Sequence, residues 1–258
     1  MKSSAEPLPG RFSSKRPTNS ELTKPILIIF GPTAVGKTAL LSRFDSSRFS
    51  VINADSIQVY KSLDIGSAKA TKEEQAAIDH YLIDIREPHE AFSVGDFITE
   101  ADRAVEQIHS EGKIPIISGG TAFYVKHFLY GLSEAPSSDE RVRALIAKQI
   151  EEHGLAWAHS RLHEVDPISG ARIHPNDAYR IARALEVFEQ SGRALSSFDL
   201  PTTRRFSNPV LIIALEREHN ELQSRVSERI AQMGELGLVE EIRHLIQGGA
   251  EASWASMA

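Results

Sequence analysis

Cysteine is absent from all 258 residues. Disulfides, thiolate metal sites and cysteine nucleophiles are thereby excluded. No stretch approaches the roughly 18 consecutive apolar residues of a membrane span, so no membrane segment is expected. Positive charge is also scarce: 29 Lys and Arg face 35 Asp and Glu, a formal net charge of -6. That balance argues against general coating of nucleic acid, yet it leaves room for a local basic groove, because phosphate binding needs a patch and not a basic total. The 41% apolar and 25% charged fractions are those of a globular protein. The length suits one large domain, or one core with an insertion.

Residues 1–24, "MKSSAEPLPGRFSSKRPTNSELTK", are rich in Ser, Pro and charge and lack hydrophobic period. No apolar segment follows the positive charges, which argues against a secretory signal, and the glutamates and prolines argue against a transit peptide. The expectation is a disordered tail on a cytoplasmic protein.

Four near-continuous Ile/Val/Leu runs, at 25–30, 49–53, 114–118 and 210–215, read as parallel strands covered on both faces. "HYLIDI" (80–85) is a weaker candidate for an edge strand. A helix is expected from Ser93 as N-cap, with Asp96 at the capping-box position, a stripe of Phe97, Ala101, Val105 and Ile108, and Gly112 as its stop. Strand, helix, strand in this order gives an α/β core. No strand signal appears from Pro136 to about Phe198. Helices are expected at 138–153, 155–165 and 177–190, separated by Gly154, Asp166-Pro167 and His174-Pro175. The domain reading is a tail (1–24), the first part of the core (25–135), an all-helical insertion (136–200) and the rest of the core (201–258). In that last part Leu222, Val226, Ile230 and Met233 form one helical stripe, and a further helix runs around 238–247.

"GPTAVGKT" places Gly31, Gly36, Lys37 and Thr38 in the pattern G-x-x-x-x-G-K-[ST] behind an apolar strand. It is the pattern of a nucleotide-binding, ATP-binding loop. Glycines let successive backbone N–H groups turn inward around an anion. Lys37 would reach a terminal phosphate, and the Thr38 hydroxyl would sit on Mg²⁺. The nest reads phosphate oxygens and not a base, so the loop by itself does not name its ligand.

Asp55 stands at the carboxyl end of the second strand, the mouth of the site in an open α/β sheet. It could hold Mg²⁺ through water, take a proton from a nucleophile, or simply cap the next segment with Ser56. Gly119-Gly120-Thr121 ends the third run. The glycines either bring backbone close to something or only begin the helix at 122–130, and Thr121 offers a hydroxyl at the same mouth. Arg180 and Arg183 lie opposite Ile181, Leu185 and Phe188, where a solvated face is the plain reading. Arg225 and Arg229, four apart beside the apolar stripe, could clamp a diphosphate. The histidines show no metal-binding pair. Read from these residues, a small P-loop kinase and a transferase with an amine acceptor both stay open.

The ordered motifs "GPTAVGKT", "ADSIQVYKSLDIGSAK", "HYLIDI", "FSVGDF", "ISGGTAFYVK", "RIHPNDAYRIARALEV" and "GLVEEI" resemble the tRNA dimethylallyltransferase (IPP transferase) family from about Pro25 onward. The resemblance implies a P-loop NTPase-like parallel sheet flanked by helices, with the helical insertion gripping the anticodon stem of tRNA. It implies that Gly31, Pro32, Thr33, Ala34, Val35, Gly36, Lys37 and Thr38 cradle the diphosphate of dimethylallyl diphosphate. Asp55 would be the general base on the adenosine N6 next to the anticodon, and Arg229 would help neutralise the diphosphate. Asp55, Ser56, Ile57, Gln58, Thr121, Arg143 and Tyr179, Arg180, Ile181, Ala182 and Arg183 would face tRNA. Tyr179 stands where the family usually has Gln. The family continues beyond the point matching Ala258, so the chain reads as a form lacking that C-terminal part; a monomer is expected. The remaining alternatives are prenylation of free adenine nucleotides, and an inert RNA-binding fragment.

Overall fold

The computed structural model describes residues 24–252, 254 and 256; of the tail expected at 1–24, all but Lys24 lies outside the described residues. The elements run β1 (Ile26–Phe30), α1 (Lys37–Leu41), β2 (Phe49–Asn53), α2 (Lys72–Ala77), β3 (His80–Tyr81), α3 (Val94–Ser110) and β4 (Ile114–Gly119). There follow α4 (Ala122–Tyr130), α5 (Glu140–His153), α6 (Leu155–Val165), α7 (Pro167–Arg172) and α8 (Ala178–Ser191). The chain ends with β5 (Val210–Ala214), α9 (His219–Glu235) and α10 (Leu238–Gln247). Two compact units emerge. Among the described residues, one takes in those up to Phe92, Glu100–Thr121 and those from Ser207; the other takes in Ser93–Thr99 and Ala122–Phe206.

The first unit holds a five-stranded sheet in the order β3-β2-β4-β1-β5, every pairing parallel. The Ile/Val/Leu runs account for it, since parallel strands bury both faces. Ile28, Ile29, Ile52, Ile116 and Ile117 are fully buried, each worth about 1.5–3 kcal/mol of burial. Leu27, Leu41, Val51 and Ile78 extend one core layer from sheet to helix. From adjacent strands, β1 leads toward β2 on one side and β4 toward β5 on the other. Such a switch opens a crevice at the carboxyl ends of the strands.

In the second unit α5, α6 and α8 enclose a core of Ile146, Ala158, Leu162, Ile173, Ile181, Ala184 and Leu185. Asp139 caps α5, its carboxylate accepting the N–H groups of Arg141 and Val142. The Asp166-Pro167 break holds a helix of its own, α7, with Asp166 as cap and the proline in its first turn, where the missing N–H costs nothing. The cap of α3 is as expected: Ser93 Oγ accepts the Asp96 N–H at 3.2 Å, and Asp96 Oδ2 accepts the Ser93 N–H at 2.8 Å. Its stripe is buried.

Two expectations need correction. The run at 210–215 forms an edge strand, with Leu211 64% and Ile212 47% exposed among the described residues; an apolar run does not say which strand is the last. The "HYLIDI" run is the edge strand expected, but it pairs only at His80–Tyr81, because Leu82 (φ 64°) and Asp84 (φ 56°) turn into the left-handed region and leave the strand. The helix expected to carry Leu222, Val226, Ile230 and Met233 is α9; none of its described residues is buried, and Ile230 is 61% exposed.

Candidate active site

The phosphate loop leaves β1 at Phe30 and enters α1 at Lys37. Gly36 (φ 108°) and Ala34 (φ 64°) carry its left-handed turns. Gly31 has no room for a side chain, since a Cβ there would stand 2.7 Å from the Leu215 carbonyl. Two arginines from the far end of the chain fix the loop. Arg217 Nε donates to the Val35 carbonyl and Arg225 Nε to that of Ala34, both at 2.8 Å. Across a planar trans peptide the next N–H points the opposite way, so the Val35 bond turns the Gly36 N–H away from Arg217. Lys37 Nζ donates to the carbonyls of Gly31 and Pro32 at 2.8 and 2.9 Å.

At the neighbouring strand ends, Gly119 packs directly on backbone. A Cβ there would lie 2.1 Å from the Ala54 carbonyl oxygen. Of the two readings of the glycine pair, close approach holds for Gly119, and the partner is the end of β2. Gly120 faces Lys37, whose Nζ would sit 4.0 Å from an added Cβ. Thr121 Oγ1 accepts the Ser56 N–H at 3.1 Å. Asp55 Oδ1 accepts the N–H groups of Ile57 (3.0 Å) and Gln58 (3.4 Å). Asp55 therefore does cap the segment that follows. It also faces charge, for its carboxylate acts on both Lys37 and Arg229.

Burial pushes the Lys37 ammonium below its ordinary value; Asp55 opposes this and Arg229 adds to it. Burial likewise lowers Arg229, again against Asp55. Two part-buried cations around one carboxylate leave an excess of positive charge at the loop, the electrostatics of a polyanion site. Arg229 NH2 reaches the Ser67 carbonyl at 3.4 Å, while its Nε is buried with no partner among the described residues. Thr38, Ile65, Ala68, Lys69, Arg229, Met233 and Leu236 are among the walls of a cavity of about 520 Å³. A larger hollow, about 820 Å³ beside His89, His244 and Trp254, contains none of the expected site residues.

No cluster of three His, Cys, Asp or Glu able to hold a metal occurs among the described residues. Mg²⁺ in phosphate sites keeps few protein ligands and takes the rest from water and phosphate oxygens. Thr38 lies on the wall of the same cavity as Arg229, and its hydroxyl fits that donor set.

Thus loop residues 31–38, Asp55 to Gln58, Thr121 and Arg229 share the first unit, whereas Arg143 and Tyr179 to Arg183 belong to the second. There Tyr179 is 82% exposed and Arg180 pairs with Asp177 on the helix surface. Arg183 is not on a solvated face: it pairs with Glu186 at 2.8 Å and donates to the Pro136 carbonyl. Glu186 also accepts the Ser138 hydroxyl (2.6 Å) and the Asp139 N–H (2.7 Å), and Arg143 donates to the same Ser138 oxygen. Ile181 is fully buried in the helical core, so its side chain packs the unit and is not offered to tRNA. Ala182 packs beside that core.

Sequence reasoning missed three site residues. Arg217 follows β5 without a pattern to mark it. Lys69, the last residue of "GSAK", is buried, with Nζ on the Tyr60 carbonyl (2.7 Å), Asp64 (2.6 Å) and Asp84 (2.5 Å). A lysine flanked by small residues was its only mark. Glu241, inside "GLVEEI", accepts the backbone N–H groups of Asp64, Ile65 and Gly66.

Comparison with known proteins gives a consistent result. The sequence model described as "IPP transferase" matches residues 58–258. A tRNA dimethylallyltransferase of Geobacter sulfurreducens is 41% identical over 87% of this chain and 73% of its own. That of Anoxybacillus flavithermus is 39% identical over 87% and 71%. The crystal structure of the full-length tRNA isopentenylpyrophosphate transferase of Bacillus halodurans superposes with a TM-score of 0.58 at 34% identity, covering 90% of this chain and 73% of its own. A eukaryotic dimethylallyltransferase acting on tRNA gives a TM-score of 0.69 at 26% identity, over 90% and 58%. No described helix is long and apolar enough to cross a membrane. A parallel sheet with a phosphate loop at its carboxyl edge, the motifs in order and these matches lead to one assignment: the chain belongs to the IPP transferase family.

Proposed function

We propose that the chain transfers the dimethylallyl group of dimethylallyl diphosphate to N6 of the adenosine 3′ to the anticodon in tRNA, forming N6-(dimethylallyl)adenosine. The observation that carries the reading is the cavity whose walls join Thr38 of the phosphate loop to Arg229, with the Asp55 charge acting on both Lys37 and Arg229. Relatives named for this reaction support dimethylallyl diphosphate over a triphosphate as donor. We read the protein as a monomer at work in the cytoplasm.

Breaking the allylic C–O bond moves negative charge onto the departing diphosphate. Groups fixed before the reaction stabilise that charge most. Arg217 and Arg225 hold the loop in its turned shape, so Thr33, Ala34 and Gly36 to Thr38 present their N–H groups without rearranging. Lys37 leaves the Gly31 and Pro32 carbonyls for the diphosphate oxygens. The buried Arg229 Nε finds its acceptor there as well. When bound through Thr38, Mg²⁺ supplies further positive charge to the leaving group.

On the acceptor side, Asp55 takes the proton that N6 loses as the new C–N bond forms. The amine is a poor base before that bond exists, so the proton moves late. Thr121, whose Oγ1 is held by the Ser56 N–H, keeps its own proton to donate to the nucleotide. Ser56, Ile57 and Gln58 line the approach to Asp55, and the base must leave its stack to reach it, which costs a few kcal/mol. Arg143, Tyr179, Arg180, Ala182 and Arg183 engage tRNA from the second unit.

The test is mass spectrometry of nucleosides digested from tRNA carrying that adenosine, after incubation with the chain, dimethylallyl diphosphate and Mg²⁺. A parallel reaction holds ATP instead. Prenylated adenosine in the first reaction only is the expected result. ATP consumption without prenylation would overturn it in favour of a kinase.

A further inference from the structure

We propose that Glu241 is a positioning residue for the donor site, setting Arg229 through a turn of backbone that neither residue belongs to; the proposal rests on the diphosphate reading above. Oε2 of Glu241 accepts the N–H groups of Asp64 (2.9 Å) and Ile65 (2.7 Å), and Oε1 accepts that of Gly66 (2.9 Å). Three successive amides thus converge on one carboxylate from α10, some 175 residues away in sequence. Hydrogen bonds to an ionised acceptor are stronger than neutral ones, and three of them fix the backbone at 64–66.

The turn they fix is itself compact. Ser67 Oγ donates to the Leu63 carbonyl at 2.6 Å, and the Lys69 N–H to that of Asp64 at 2.9 Å. Gly66 lies close under α10, where a Cβ would meet Leu238 at 3.2 Å. The Ser67 carbonyl then has two partners: Arg229 NH2 at 3.4 Å and Gln58 Nε2 at 3.0 Å. Gln58 Nε2 also holds the Ala68 carbonyl at 3.1 Å. The chain of contacts runs from Glu241 through 64–66 to Ser67, then to Arg229 on the donor side and Gln58 on the acceptor side. Arg229 makes no other hydrogen bond among the described residues, so the Ser67 carbonyl is its hydrogen-bonded anchor, beside the charge of Asp55.

Glu241→Gln keeps the size of the side chain but turns an NH₂ group toward an amide N–H, so at least one bond is lost. The probe is inorganic pyrophosphate, titrated with Mg²⁺ into the full chain by calorimetry, for the unaltered protein, E241Q, Arg229→Gln and the double variant. The expected result is about tenfold weaker pyrophosphate binding in E241Q and no further weakening when E241Q is added to R229Q, the non-additivity of two residues on one path. Glu241→Asp, a methylene short, serves the same cycle if E241Q does not fold. A merely structural role would lower the melting temperature and leave pyrophosphate affinity alone, or weaken it equally with and without Arg229. Either outcome overturns the proposal. No binding of pyrophosphate by the unaltered chain would instead overturn the donor-site reading and the proposal together.

Discussion

Arg225 donates its Nε–H to the carbonyl oxygen of Ala34 at 2.8 Å, joining residues 191 positions apart. Ala34 sits in the phosphate loop with φ at 64°, a left-handed conformation that costs an alanine about 1 kcal/mol. The arginine offsets that strain from outside. Arg225→Ala should therefore loosen the loop before any ligand arrives. The expected outcome is a donor KM raised about tenfold, with kcat changed much less, as for lost preorganisation. Steady-state kinetics at saturating tRNA reads it; an unchanged KM would mean that the loop holds its shape without Arg225.

Gly119 tests packing and not turn geometry. An added Cβ would fall 2.1 Å from the Ala54 carbonyl oxygen, with further backbone atoms at 2.3 and 2.8 Å. None of these can swing aside as a side chain could. Gly119→Ala must part the ends of β2 and β4, costing about 1–3 kcal/mol as overpacking. Urea unfolding should show a lower midpoint. Thr121 and Ser56 should also separate, so turnover should fall in whatever protein stays folded. A midpoint equal to that of the unaltered chain would show that the strands part freely there.

The contrast between these two sites shows what the sequence carried. The phosphate loop, the strand runs and the Ser93 cap were legible because each is written in consecutive residues. Lys69, Arg217 and Glu241 were not, because folding brings their partners to them: the Tyr60 carbonyl and two carboxylates to Lys69, and distant backbone to Arg217 and Glu241. The edge position of β5 was illegible for a related reason: Leu211 and Ile212 are as apolar as Ile28 and Ile29, and only the strand order distinguishes them. Arg183 reads as a surface cation until Glu186 and Pro136 are placed beside it. Local chemistry is in the pattern; partners distant in sequence are not.

Asp55 and Lys37 should separate by kinetic signature. Asp55→Ala removes the proton acceptor, and turnover should fall by about 10²–10⁴-fold. Pyrophosphate and donor binding should survive, since Asp55 repels a diphosphate and does not hold it. Lys37→Ala should weaken donor binding as well as turnover, because its ammonium meets the ligand before and during the reaction. Single-turnover assays beside equilibrium binding distinguish the two. Unchanged turnover in Asp55→Ala would remove it as the base and leave it only as the cap of Ile57 and Gln58.

Asp166 gives the second unit a pH dependence of its own. Its carboxyl group is buried, which pushes the pKa up, but the hydroxyl and N–H of Ser196 and the N–H of Ser169 outweigh burial and bring it from 3.8 to about 2. A carboxylate whose folded pKa is depressed stabilises the fold above its unfolded pKa, and that contribution drains away as pH falls through the folded value. The window is therefore pH 4 to 2, and the shift is worth about 2 kcal/mol at neutral pH. Asp166→Asn keeps the shape, yet it loses the charge and turns an NH₂ toward donors that need an acceptor. Chemical unfolding followed by Trp157 fluorescence in the second unit should show the variant about 2 kcal/mol less stable at pH 7. The gap should close as both proteins are taken below pH 3. A gap that stays constant through that range would place the loss in packing and not in the ionised carboxylate.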